Sequence, residues 1–393
     1  MNYRDYLNPR IASVPPSGIR RFFDLAASMK DTISLGVGEP DFKTPYIIRD
    51  AAINSLVDGE TQYTANRGML ELREEIADYL SGRYRLSYLP EKEILVTIGA
   101  SEAIDVALRA LVSDGDEVLV PDPSYVSYAP GVIFAGGNPV GVQTRQEDDF
   151  RLKPEQIEKA VTSRTKLLIL PYPNNPTGAI MEKEDLQKIA EVVAKHDLLV
   201  ISDEIYSELV YGGHDHVSFA SLPEMKDRTV TINGFSKAFA MTGWRVGYAC
   251  AAPEIIEVMN RIHQYAIMCA PRQGQVAALT ALRTGRENGY ESVLQMRESY
   301  DRRRRLMVSA FRDMGLECFE PYGAFYVFPS VRSTGLNCEE FCSRLIREKK
   351  VAAVPGTAFG PSGEGHIRCC YATAVDKINI ALERIAEFVS SFS

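Results

Sequence analysis

Lys237 and Arg245 stand eight positions apart in the run 233–248, NGFSKAFAMTGWRVGY, and their spacing suggests the first chemistry in the chain. A lysine among apolar and hydroxyl residues sheds its proton more readily than a solvated one, because leaving water penalises the ammonium. The neutral amine attacks carbonyl carbon and forms Schiff bases. A guanidinium held at a Gly-Trp corner offers a partner for a phosphate dianion. A surface lysine and a surface arginine on a strand and turn account for the run as well, and for an isolated pair that reading prevails. Other segments decide between the two.

Three loops that follow apolar, strand-like runs carry polar residues where α/β sheets place their ligands. After residues 93–98 the sequence Gly99-Ala-Ser-Glu102 opens a helix. The free N–H groups of Ala100 and Ser101 and the helix dipole suit an anion, with the Ser101 hydroxyl beside them. A plain helix start fits the same residues. Residues 171–178, PYPNNPTG, are either a turn dense in proline and asparagine or a rigid frame that leaves the Asn175 amide free to donate. The apolar run 199–203 ends on Asp203, with Tyr206 three residues on. A carboxylate at the buried end of such a strand needs a cationic partner, and a protonated pyridine nitrogen is one.

Short apolar runs at 93–98, 117–120, 166–170, 198–201 and 229–232 alternate with helical patterns such as 101–112 and 184–195. That alternation predicts an α/β fold with a mostly parallel central sheet covered by helices on both faces. From about residue 285 the texture changes to a long charged helix, the run 323–328, a helix over 338–349 and a terminal amphipathic helix. These predict a smaller α+β domain. The expected division is an N-terminal arm with part of the smaller domain over 1–45, a large domain over 46–285, and the smaller domain over 286–393. The arginine run 302–305 invites a phosphate or nucleic-acid reading, but a solvated helix face suits so acidic a chain better.

At 393 residues the chain suits two domains, and a net charge of −8 argues against a nucleic-acid partner. Its seven cysteines are odd in number and fit no zinc spacing, so reduced thiols in the cytoplasm are expected, with no metal. His214 and His216 flank an aspartate in a polar loop and read as solvated. No apolar run spans a bilayer, and no P-loop, G-x-G-x-x-G, H-E-x-x-H or G-x-S-x-G occurs.

The segments ISLGVGEPDF (33–42), PNNPTG, SDEIY, SKAFAMTGWRVGY and HIRCCYA (366–372) together resemble the class I aminotransferases, pyridoxal-phosphate enzymes with the aspartate-aminotransferase fold. The resemblance runs from about residue 17 to the C-terminus. It implies pyridoxal 5'-phosphate as cofactor, Lys237 as its covalent anchor and then the base for the substrate Cα proton, and Asp203 paired with the pyridine nitrogen. Tyr206 and Asn175 would hydrogen-bond the ring oxygen, and Tyr125 would stack on the ring. Arg245, Ala100 and Ser101 would bind the phosphate. Tyr63 would reach the phosphate of a neighbouring subunit, which implies a homodimer with shared active sites. Arg368 would grip the substrate α-carboxylate in two-pronged fashion, with the Gly36 N–H assisting. One departure is visible: many members carry serine three residues before the lysine, and this chain has Gly234, with Ser236 as a candidate replacement.

The substrates implied are an L-amino acid and a 2-oxo acid such as 2-oxoglutarate, exchanging nitrogen by a ping-pong route. The run 17–24 and the loop 125–130 look most similar to aromatic and broad-range members. Arg20, Arg67, Arg272 and Arg286 are the candidates for a distal carboxylate, though each reads more simply as structural or surface. An eliminating lyase of the same fold is the alternative reaction; it would release 2-oxo acid and ammonia without an acceptor. A non-enzymatic cofactor-binding regulator would need an appended basic winged-helix domain, for which the residues before 17 leave little room.

Overall fold

A computed structural model describes residues 1, 3–19, 29 and 31–392. Its centre is a seven-stranded sheet in the order Ile94–Thr97, Gly247–Cys250, Thr229–Gly234, Leu199–Asp203, Thr165–Leu170, Glu117–Asp122, Asn138–Gln143. Every strand is parallel to the rest except Gly247–Cys250, which runs antiparallel to both neighbours. The mostly parallel α/β sheet expected from the alternation is therefore present.

Both faces are covered, as the near-continuous apolar strands require. Leu167 and Ile169 point into one core layer with the helix Gly99–Leu111 and Ile256 and Met259 of the helix Pro253–Ala266. Leu168 and Leu170 point to the other, against the helix Lys183–Lys195. Successive side chains alternate across the sheet. Each of these fully buried aliphatic side chains stabilises the fold by about 2 kcal/mol. The end strand Ile94–Thr97 and its neighbour carry a third layer, formed with the helices Leu70–Tyr84 and Arg272–Asn288.

Two strands of the sheet lie outside the apolar runs of the sequence. Asn138–Gln143 is an edge of the sheet, half of its residues exposed, and holds a proline and a glycine, so it lacks the pattern of a central strand. Gly247–Cys250 is buried along its length but only four residues long and carries no Val or Ile.

Beyond the large sheet, Val354–Pro355, Ile367–Cys370 and Tyr326–Val327 form a three-stranded antiparallel sheet. Ile33–Ser34 pairs in parallel with Val351–Ala352, so a segment near the N-terminus joins this C-terminal part. The helices Glu291–Asp313, Cys338–Lys349 and Val375–Ser390 pack over it on Phe311, Phe325, Phe341 and Phe388, all at most 1% exposed.

Two surface expectations are corrected here. In the run 302–305 only Arg302 and Arg305 are exposed, whereas Arg303 and Arg304 are 8% and 3% exposed and lie inward on the helix. The three-to-four-residue spacing of Tyr300, Arg303, Arg304, Met307 and Val308 on the buried face explains why. His214 and His216 are tethered instead of solvated: His214 Nδ1 lies 2.7 Å from Glu182 and His216 Nε2 lies 2.9 Å from Glu204.

Candidate active site

The site lies at the C-terminal ends of the parallel strands, where the backbone turns away and leaves polar groups unpaired. Lys237 follows the strand Thr229–Gly234, and its Nζ donates to the Gly38 carbonyl at 2.7 Å. The rings of Tyr206 and Phe325 lie 5.7 and 5.5 Å from the amine. Burial lowers the Lys237 pKa to about 8; Arg368 and Arg245 push the same way, against Cys370 and Glu39. A good fraction of the amine is thus neutral near pH 8, as a nucleophile or base requires.

Asp203 ends its strand 6% exposed. One carboxylate oxygen accepts from the Tyr128 hydroxyl at 2.7 Å and the other from the Ile205 N–H at 3.2 Å. Burial raises its pKa to about 6, opposed by the Tyr128 and Ile205 hydrogen bonds. The Asp203 carboxylate has no salt-bridge partner among the described residues. A buried, cation-poor carboxylate of this kind fits a protonated ring nitrogen.

Beside it, the helix Gly99–Leu111 begins with no side-chain cap. Glu102 reaches back to the Ile98 N–H and is held by His263 at 2.7 Å, and the N–H groups of Ala100 and Ser101 have no acceptor among the described residues. Arg245 curls over this end: a Cβ on Gly99 would sit 2.6 Å from its Nη2. Among the described residues its other partners are the carbonyls of Thr242 and Ile98, at 3.0 and 3.5 Å. Unpaired donors, a helix dipole and a guanidinium without a carboxylate make a cradle for a phosphate dianion. Ser236 is buried, and its hydroxyl bonds to no described residue. At Gly234 a Cβ would stand 2.9 Å from the Gly247 Cα and 3.1 Å from the Val246 oxygen, so the neighbouring strand excludes a side chain there.

Arg368 sits on the strand Ile367–Cys370, 2% exposed, between the rings of Tyr326 and Phe359 at 4.4 and 4.7 Å. It donates to the Asn175 Oδ1 at 2.9 Å and to the Gly36 carbonyl, and its Nε has no partner among the described residues. Gly36 meets Arg368 through its carbonyl, and its N–H donates to Ser34 Oγ at 3.3 Å. Asn174, not Asn175, ties the loop together, accepting from the Thr177 N–H and hydroxyl at 3.3 and 2.9 Å. That spares the Asn175 amide nitrogen.

Contacts thus link Lys237, Tyr206, Asn175, Arg368 and Gly36 into one cluster, with Asp203 and the Arg245 cradle at adjacent strand ends. Tyr125 is half-buried, edge-on to Tyr128 at 5.6 Å. Tyr63 is 75% exposed and makes no contact with this cluster. Arg67 pairs with Glu257, Arg272 with Glu60, and Arg286 with Glu75 and Asp78. Arg20, with the rest of its run through residue 24, lies outside the described residues. Sequence reasoning missed Tyr128, Tyr326 and Phe359. Tyr326 donates to or accepts from the Tyr206 hydroxyl at 2.9 Å, but an aromatic in an apolar strand carries no outward mark of a polar task.

The family model for aminotransferase class I and II matches residues 30–385. The chain belongs to this family. It is 48% identical to an aspartate aminotransferase of Pyrococcus abyssi, over 96% of this chain and 97% of that one. It is 46% identical to aromatic-amino-acid aminotransferase 2 of Thermococcus litoralis, with the same coverage. A crystal structure of an aromatic aminotransferase from Pyrococcus horikoshii superposes with a TM-score of 0.90 at 47% identity, covering 95% of this chain and 99% of that one. The chain is a pyridoxal-phosphate-dependent aminotransferase of the aspartate-aminotransferase fold. Among the described residues no helix is long and apolar enough to cross a membrane.

Proposed function

We propose that this aminotransferase takes nitrogen from an L-amino acid with an aromatic or other apolar side chain and delivers it to a 2-oxo acid, 2-oxoglutarate among them. The observation that carries the proposal is Arg368, a buried guanidinium with an unpaired Nε, framed by the rings of Tyr326 and Phe359. Such a group binds an α-carboxylate, and the aromatic walls beside it suit an apolar side chain. Three of the four arginines available for a distal carboxylate are already paired with acidic residues. A bound water or a mobile arginine would meet the second carboxylate of 2-oxoglutarate.

Pyridoxal phosphate, when bound, supplies an electron sink that acidifies the substrate Cα–H. The chain's own residues do the rest. The N–H groups of Ala100 and Ser101, the Ser101 hydroxyl, Arg245 and Ser236 would hold the phosphate. Asp203 would keep the pyridine nitrogen protonated, with Tyr128 orienting its carboxylate. Tyr206 and Asn175 would donate to the ring oxygen, and Tyr125 would cover one ring face. Lys237 would anchor the cofactor and then carry the Cα proton on its Nζ, a task that its lowered pKa favours. The exposed Tyr63 would complete the phosphate site of a second copy, making a homodimer. Seven free cysteines are in keeping with action in the reducing cytoplasm.

Steady-state rates with Phe, Tyr, Leu, Ala, Asp and Glu as donors and 2-oxoglutarate as acceptor test the substrate reading. Aromatic and apolar donors are expected to lead. A preference for Asp over Phe beyond about a hundredfold, roughly 2.7 kcal/mol in the transition state, would move the enzyme to dicarboxylate specificity. Turnover without an acceptor, with ammonia released, would instead mark an eliminating lyase.

A further inference from the structure

Arg303, which the sequence presents as one of a run of surface arginines, is buried against the segment that borders the site. Its Nη1 lies within hydrogen-bond reach of both Asp41 carboxylate oxygens, at 2.8 and 2.9 Å, and of the Thr373 and Tyr371 carbonyls at 2.9 and 3.4 Å. The guanidinium also stacks over Phe42 and Tyr300 at 5.4 and 5.5 Å. Asp41 and Phe42 belong to the segment 36–44, whose Gly36 carbonyl takes a hydrogen bond from Arg368 and whose Gly38 carbonyl takes one from Lys237. Tyr371 and Thr373 follow directly on the strand that carries Arg368. One side chain therefore joins the two stretches of chain that flank the carboxylate-binding guanidinium.

The segment has few other anchors. Thr44 ties its far end, donating to the Ala240 carbonyl at 2.6 Å and accepting from Trp244 at 3.0 Å. Gly38 fits under the Tyr326 hydroxyl, where a Cβ would come within 2.3 Å, so a small shift of the segment would strike the site's aromatic wall. An ion pair whose guanidinium is buried and also reaches backbone acceptors on a second segment fixes position more firmly than an exposed pair, because breaking it leaves a charge shielded from water without its partners.

We infer that the Arg303–Asp41 clasp is a positioning device for substrate binding, setting where the segment 36–44 stands relative to Arg368. This rests on the reading of Arg368 as the α-carboxylate site. Arg304 provides an internal reference: it is equally buried, but it bonds Asp301 and Glu320 and stacks on Tyr322 and Tyr211, away from the segment.

The test uses the holoenzyme and the 2-methyl derivative of its best donor, which has no Cα proton and binds without turning over. Calorimetric affinity is measured beside thermal stability and kcat for wild type, Arg303→Met, Arg303→Lys, Asp41→Asn, Arg304→Met and Arg368→Lys. Arg303→Met and Asp41→Asn are expected to weaken binding about tenfold while kcat changes less, since a misplaced binding group costs affinity before chemistry. Arg303→Lys should recover part of the loss, and Arg304→Met should lower the melting temperature with affinity unchanged. Affinity within about twofold of wild type in both Arg303→Met and Asp41→Asn, with Arg368→Lys clearly weakened, overturns the clasp alone. Unchanged affinity in Arg368→Lys overturns the clasp and the carboxylate reading together. Should Arg303→Met not fold, Asp41→Asn decides by the same criterion.

Discussion

The two halves of the site are built by different means. Lys237, Asp203 and the Arg245 cradle stand at the ends of neighbouring strands of one sheet, each within a few residues of a largely buried strand. The half proposed for the substrate is gathered from afar: Gly36, Asn175, Tyr326, Phe359 and Arg368 come from five separate stretches, and Arg303 adds a sixth. A rigid sheet fixes the first half to its own strand ends. The second depends on side-chain contacts between segments that must be placed against one another. Changes in the first half should therefore abolish chemistry, and changes in the second should weaken or redirect binding.

The largest effect is expected at Lys237. Lys237→Met should lower turnover by about ten-thousandfold or more, because the proposed function gives one residue both tasks, anchor and proton carrier. The same change should stabilise the cofactor-free protein at neutral pH. The folded amine has a pKa of about 8, below its ordinary value, so its contribution to stability is full above the ordinary lysine pKa and is lost as pH falls through about 8. Melting curves at pH 7 should show Lys237→Met above wild type, by about 2–3 kcal/mol at most.

Asp203→Asn comes next, with turnover down by about a thousandfold through loss of the charge that, on the proposed reading, would hold the ring nitrogen protonated. In the cofactor-free protein the sign is opposite to that of Lys237. The folded Asp203 pKa of about 6 lies above the ordinary carboxylate value. Its contribution is full below that ordinary value and is lost as pH rises through about 6. Thermal melts between pH 4 and 7 should show a downward slope that Asp203→Asn flattens. An identical slope in both proteins would remove Asp203 as its source.

Arg368→Lys keeps charge and loses the two-pronged geometry, so kcat/KM for amino acids should fall by about a hundredfold. Equal rates for an amino acid and the corresponding amine would contradict a carboxylate role. Tyr128→Phe should be milder, about tenfold. It removes a hydrogen bond that lowers the Asp203 pKa, so the acid limb of the rate profile should move to higher pH. Arg286→Gln should do least, since Arg286 and Asp78 are exposed and the buried Glu75 keeps Arg283 as a partner: stability within about 1 kcal/mol and unchanged donor preference.

The same contrast explains what the sequence made legible. Five of the seven strands are short runs rich in Val, Ile and Leu bounded by polar loops, so the sheet could be read at once, and the loops after them drew attention to Lys237, Asp203 and Ser101. The edge strand Asn138–Gln143 escaped because an exposed edge needs no apolar run. Arg303 and Arg304 escaped because four consecutive arginines mark no face; only the packing of Tyr300, Met307 and Phe311 beneath the helix shows which two turn inward. Tyr128, Tyr326 and Phe359 are ordinary core residues in composition, and their placement beside Asp203 and Arg368 arises from contacts between distant segments.

The central claim is that the chemistry is organised around Lys237. Borohydride reduction of the holoenzyme, followed by proteolysis and mass mapping of the cofactor adduct, tests it most directly. The adduct is expected on the peptide containing Lys237 and on no other; an adduct on any other lysine, with Lys237 unmodified, would contradict the account.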